Sequence, residues 1–153
     1  MNWFKRFKKQ PPEFTFDHPI GLQICRHLAE TEAAAIDGVI RRDMETGYVW
    51  YVIPSTLCGK EWVSMSLCFQ RSNLDSLSVA VIDDMPGQES KEWTEDKERL
   101  RTKRTSAWLS ALGYPPGSYT WGEIWCEYDP RSASGGGGVR FNSPTAAASQ
   151  AAR

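Results

Sequence analysis

Hydrophobic and polar positions change period along this chain, and the changes divide it into elements. After Asp17, Ile20, Ile24 and Leu28 recur every four residues, with Leu22 and Cys25 beside them. That spacing lays one apolar stripe along a helix. Asp17 is placed to cap it, and Pro19 suits its first turn. A helix over 19–32 is therefore predicted, with Ala33-Ala34-Ala35 able to extend it. The period then becomes two. Strands are predicted over 36–42, 48–53, 62–70 and 76–82. In the third, Val63, Met65, Leu67 and Phe69 alternate with Ser64, Ser66, Cys68 and Gln70. In the fourth, Leu77, Val79 and Val81 alternate with Ser76, Ser78 and Ala80. One polar face per strand signals antiparallel strands covered on one side only. The connections METG, PSTLCGKE and RSNLD are short and rich in turn residues, which predicts hairpins.

A second helix is predicted over 90–112. Trp93, Leu100, Ala107, Trp108, Ala111 and Leu112 give it an apolar stripe, and Gly113 with Pro115-Pro116 stops it. Residues 119–128 read as a fifth strand, PRSASGGGG over 130–138 as a flexible loop, and 139–141 as a short sixth strand. The predicted fold is α+β: an antiparallel sheet of about five or six strands, two main helices packed on one face, in the order α-β-β-β-β-α-β-β. The predicted organisation is a basic and aromatic arm over 1–12, one α+β domain over 13–142, and a flexible tail over 143–153, where SPTAAASQAAR has nothing large to bury.

The chain of 153 residues is 41% hydrophobic and 24% charged, which suits one globular domain. The formal net charge of -1 argues against general nucleic-acid binding, which needs a surplus of Lys and Arg. The charge is blocked, however. Asp83, Asp84, Glu89, Glu92, Glu95, Asp96 and Glu98 form an acidic segment, and Arg99, Arg101, Lys103 and Arg104 a basic one. No apolar run reaches transmembrane length, and the N-terminus lacks the apolar region of a secretory signal. In the arm, Trp3, Phe4 and Phe7 sit among Lys5, Arg6, Lys8 and Lys9. One turn of amphipathic helix anchors weakly, so the rings are expected to pack on the domain without stable membrane insertion. Cys25, Cys58, Cys68 and Cys126 are scattered with no CxxC. Reduced thiols and a cytoplasmic location are expected.

No motif specifies a reaction, and neither a cofactor nor a metal is implied. The GGGG of 135–138 leads into Val-Arg-Phe rather than a helix, so it is not a phosphate loop. Glu123 and Glu127 would share a strand face but stand about 13 Å apart at the usual rise, farther than glycosidase pairs. The ESK and EDK triplets at 89–91 and 95–97 lie at a helix start, where acids are favoured anyway. His18 and His27 lack partners at a zinc spacing.

The densest signal is the fifth strand. Tyr119, Trp121, Glu123, Trp125 and Glu127 would fall on one face, alternating rings with carboxylates. Acids facing a dry core are costly, so this face is open to water or to a partner. Aromatic rings anchor interfaces, and carboxylates choose a basic partner. Asp83, Asp84, Glu95 and Asp96 are expected to add to such a surface. The bland alternative is that the rings cover neighbouring strands while the acids reach past them.

In size and general composition the chain is similar to bacterial immunity proteins for secreted toxins, and to effector chaperones. That likeness rests on no motif. The lack of a catalytic set, the acidic segment over 83–98 and the aromatic-acidic strand point to a non-catalytic domain that binds a protein partner with a basic surface. The contrasting reading is a small hydrolase or sugar-binding enzyme, stacking substrate on Trp121 and Trp125 with Glu123 or Glu127 as acid or base.

Overall fold

The computed structural model describes residues 12–82 and 92–143. The expectations for the arm before residue 12, for Asp83 and Asp84, and for the tail after Ser143 lie outside the described residues. The elements run β1 (Thr15–His18), β2 (Leu22–Cys25), α1 (Glu30–Ala34), β3 (Ile40–Asp43), β4 (Tyr48–Cys58), β5 (Glu61–Gln70), β6 (Asn73–Ile82), α2 (Glu95–Ala111), β7 (Gly117–Tyr119), β8 (Gly122–Asp129) and β9 (Ser134–Phe141). The fold is mixed α+β and mostly strand. β1 and β2 form a separate hairpin, and the other strands form a seven-stranded antiparallel sheet in the order β3-β4-β5-β6-β9-β8-β7.

The alternation in β5 and β6 holds from Val63 to Leu67 and from Leu77 to Val81, and a register shift between Cys68 and Phe69 interrupts it beyond. Val63 pairs Val81, Met65 pairs Val79 and Leu67 pairs Leu77, and all six side chains are buried. Tyr51 and Ile53 of β4 extend that layer on one side, Val139 and Ile124 on the other. Helix α2 closes it, with Leu109 fully buried. The Thr94 hydroxyl caps α2 by accepting from Lys97 N, so the helix begins at Glu95 rather than at the expected 90, and Gly113 ends it at φ 95 where a stop is expected. Thr105 is buried where α2 crosses the sheet. Pairing of β6 with β9 stops at Val79, and beyond it Val81 N donates to the Thr105 hydroxyl at 3.0 Å.

Four expectations are corrected. The helix over 19–32 is the β1–β2 hairpin followed by the short α1. Phe14, Phe16 and His18 point inward at period two, and Gly21 at φ 91 makes the turn. Ile20, a member of the period-four set, is 44% exposed. The hairpin's rings pack on the far end of α2 and its exit, Phe16 on Trp108 and Phe14 on Tyr114. Second, β4 does not stop at Ile53. It passes Pro54 through a bulge and turns only at Gly59. Third, the predicted fifth strand breaks at Thr120 and Trp121 into β7 and β8. Fourth, the glycine run is not a loop but the body of β9, between β6 and β8. A Cβ on Gly135 would meet Glu98 O of α2 at 2.1 Å, and one on Gly137 would meet Trp125 O at 2.5 Å. Glycine is there because backbones approach closely, not because the chain needs freedom. Gly135 N also donates to the nearly buried Glu98 carboxylate at 2.9 Å.

Candidate protein-docking face

With α2 on one side of the sheet, the other side carries the alternate residues. Register places Ile40, Val52, Ser66, Ser78, Gly138 and Trp125 as successive partners across β3, β4, β5, β6, β9 and β8. The neighbouring row runs Arg42, Trp50, Cys68, Ser76, Arg140, Glu123 and Ser118. Over the middle strands the face is floored by Ser64, Ser66, Ser78, Ala80, Gly136 and Gly138. Larger side chains rise from β4 and β8. This floor forms a shallow, open hollow of about 300 Å³, flanked by Trp125, Glu127 and Asp129 and by Ser132 and Ser134. The hydroxyls of the floor are part-exposed, so water can satisfy them.

Glu123, Trp125 and Glu127 do share this open face, at alternate positions of β8. The Trp125 ring lies over Gly138, which has no side chain to lift it. Arg140 bridges the neighbourhood: its guanidinium pairs with Glu123 at 2.9 Å and stands 5.5 Å from the Trp125 ring centroid. Glu127 is exposed, and among the described residues no cation pairs with it. Asp129 accepts from Arg131 N at 2.9 Å in the turn that follows. The hollow is thus acidic on its β8 side.

Tyr119 and Trp121 are elsewhere, because the strand breaks between them and Glu123. Trp121 is 8% exposed and packs on Phe141 and Tyr114, with Tyr119 stacked on it at 5.0 Å. The Tyr119 hydroxyl donates to Pro115 O. This pair belongs to the packed corner beneath the β1–β2 hairpin, where the Arg26 guanidinium also donates to Trp121 O. Glu95 and Asp96 lie in the exposed first turn of α2, and Glu95 pairs with Arg99 at 3.5 Å. They sit on the helix-bearing side, where the Glu95 charge adds to burial in raising the Tyr128 phenol. They are not part of the open face.

The other titratable groups are built for packing. Burial pushes the Cys126 thiol up to about 11, partly opposed by a hydrogen bond with Ser106. Burial raises Cys58 and Cys68 as well. None of the cysteines is in a disulfide. Among the described residues no group of three or more His, Cys, Asp or Glu is placed to hold a metal, and no helix is long and apolar enough to cross a membrane.

The sequence reading missed the far wall of the face. Tyr48, Trp50 and Val52 project onto it while Val49, Tyr51 and Ile53 face the core side. The run YVWYVI is apolar at both parities, which is itself a signal that both faces of β4 are covered by something.

No family model matches the chain, and no curated protein matches it. Its fold is similar to that of a chain in the solved structure "Rhs1-CT in complex with cognate immunity protein RhsI1", at 14% identity, with 92% of this chain and 93% of that chain covered and a TM-score of 0.52.

Proposed function

We propose that this chain is a non-catalytic, cytoplasmic binding protein of the immunity type, which neutralises a toxin or effector by covering it with the open sheet face. The observation that carries the reading is Trp125 set between Glu123 and Glu127 on a face that no described helix covers. A ring flanked by carboxylates recognises a basic, partly apolar surface. The similar fold occurs in a complex of Rhs1-CT with its cognate immunity protein, which supports the same class of partner. An enzymatic use of Glu123 and Glu127 is disfavoured, because Glu123 is held by Arg140 and the two carboxylates flank an indole rather than a shared pocket.

The test has two steps. The tagged chain is used to capture its partner from the native host, and the partner gene is expressed with and without this one. Wild-type chain should restore growth, whereas Trp125→Ala with Glu127→Lys should not. Growth arrest caused by this chain expressed alone would overturn the reading, since it would place the chain on the toxic side of such a pair.

A further inference from the structure

We infer that the open face receives one α-helix of the partner, laid along the strands between β4 and β8, with an apolar flank toward β4 and Lys or Arg toward β8. This rests on the docking reading above and names the shape and chemistry of what docks.

Width comes first. β4 and β8 are separated by β5, β6 and β9, so their axes stand about 19 Å apart at the usual strand spacing. Trp50 and Val52 rise from one wall, Trp125 and Glu127 from the other. The low strands β5, β6 and β9 lie between those walls, and an α-helix with its side chains is about 10–12 Å across, so it fits within that separation. A single extended strand would leave the trough half empty, and strand addition uses a sheet edge rather than a face. Ser66, Ser78, Gly136 and Gly138 keep the floor low enough for a helix to approach. From Ser64 to Ser66 the part-exposed floor of β5 runs about 7 Å, which suits one to two helical turns.

Chemistry orients the guest. On the β3–β4 side Ile40 is 54% exposed, Met44 52% and Tyr48 37%, beside the half-buried Trp50 and Val52. Exposed Arg42, the register partner of Trp50, interrupts this apolar set, but several large apolar side chains exposed on one wall still mark a contact site. On the β8 side stand Glu127 and Asp129, with Glu123 already engaged by Arg140. The two walls therefore ask for different flanks. A helix with apolar residues on one side and cations at i, i+4 and i+7 on the other satisfies both at once.

The probe is a designed amphipathic peptide of Leu and Lys with helix-forming Ala, titrated into the isotopically labelled chain and followed by amide and indole shifts. Saturable shifts are expected along Ser64–Cys68, Ser76–Ala80 and Gly136–Gly138 and at the Trp50 and Trp125 indoles. The same peptide with Glu in place of Lys should bind at least tenfold more weakly. Ser78→Arg, which fills the floor at a part-exposed position, should abolish the shifts while leaving the spectrum folded. Shifts confined to the α2 side, equal binding of the Glu peptide, or indifference to Ser78→Arg would overturn the inference. So would a concentration-dependent dimer lost in Ser78→Arg, because the occupant would then be a second copy. If the peptide fails while Trp125→Ala still abolishes neutralisation, the face binds its partner in another shape, and only the helix is refuted.

Discussion

Trp125 rests on Gly138: the two are register partners on β8 and β9, and a Cβ added at 138 would stand 2.3 Å from the indole ring. The ridge that walls the open face is therefore seated on bare backbone. Its height and tilt depend on a hydrogen atom occupying the neighbouring side-chain position.

The glycines of β9 should not be interchangeable. Gly136→Ala brings a Cβ to 3.2 Å from Val79 O, a tight contact that small shifts relieve. Gly138→Ala must displace the Trp125 ring and also presses on Leu77 O at 2.5 Å, while Gly137→Ala and Gly135→Ala press on the backbone carbonyls of Trp125 and Glu98. The expected order of destabilisation is Gly136→Ala least and the other three clearly greater. The larger costs should reach about 1–3 kcal/mol, as overpacking usually does. Urea melts give the order, and near-ultraviolet circular dichroism should change most for Gly138→Ala. A flexible loop would instead show four small and equal effects.

Trp121 and Trp125 should separate cleanly. Trp121→Ala empties a packed corner among Tyr114, Tyr119 and Phe141 and should cost about 3–5 kcal/mol. Trp125→Ala removes a half-exposed ring from the open face and should cost clearly less, while weakening partner binding by about 2 kcal/mol or more. Paired urea melts and binding isotherms decide it. Equal stability losses would mean that Trp125 is packing rather than contact.

This pair also shows how far the sequence could be read. Strict alternation in β5 and β6 gave their faces, hence the covered and open sides of the sheet, because register follows parity. The last three residues of the aromatic-acidic alternation, Glu123, Trp125 and Glu127, share one face for the same reason. Trp121 was misplaced because a turn of two residues leaves parity looking continuous across it. The β1–β2 hairpin is hidden because Ile20, Ile24 and Leu28 fit a helical period by coincidence, while Phe14, Phe16 and His18, which set the true period, all precede the helix predicted over 19–32. The glycine run defeats composition altogether. Whether such a run is a loop or a crowded strand depends on what packs beside it, and Glu98 and Trp125 are distant in sequence.

Thr105 offers a test of how α2 is fastened. Its hydroxyl accepts from Val81 N and donates to Arg101 O at 2.8 Å, and the residue is fully buried. Thr105→Val keeps the shape and removes the acceptor. Val81 N then has no partner at the point where β6 outruns β9. The expected loss is about 1–3 kcal/mol, the usual cost of orphaning a buried donor. Hydrogen exchange at the Val81 amide should accelerate more than at Val79. Thr105→Ser, which keeps the hydroxyl, should retain the slow exchange.

His18 should make stability fall on mild acidification. The ring is 3% exposed, set edge-on to Phe16, and its Nδ1 accepts from Ile20 N at 3.3 Å. Protonation would place a second donor opposite that N–H and a charge in an apolar pocket, so burial lowers the folded-state value below the ordinary 6.5. The unfolded chain keeps the ordinary value. Between the lowered value and about 6.5, the unfolded state therefore binds a proton that the folded state refuses, and stability decreases as the pH drops through that window. Above it both states are neutral and His18 contributes no slope. His18→Asn retains an acceptor for Ile20 N and cannot titrate. Urea midpoints measured for both proteins between pH 8 and pH 5 should diverge: the wild type should lose stability below about 6.5, and the variant should lose less. The carboxylates titrate in both proteins and cancel in the difference. Parallel curves over that range would show that the imidazole is as well solvated folded as unfolded, and would contradict the buried placement of His18 in the β1–β2 hairpin.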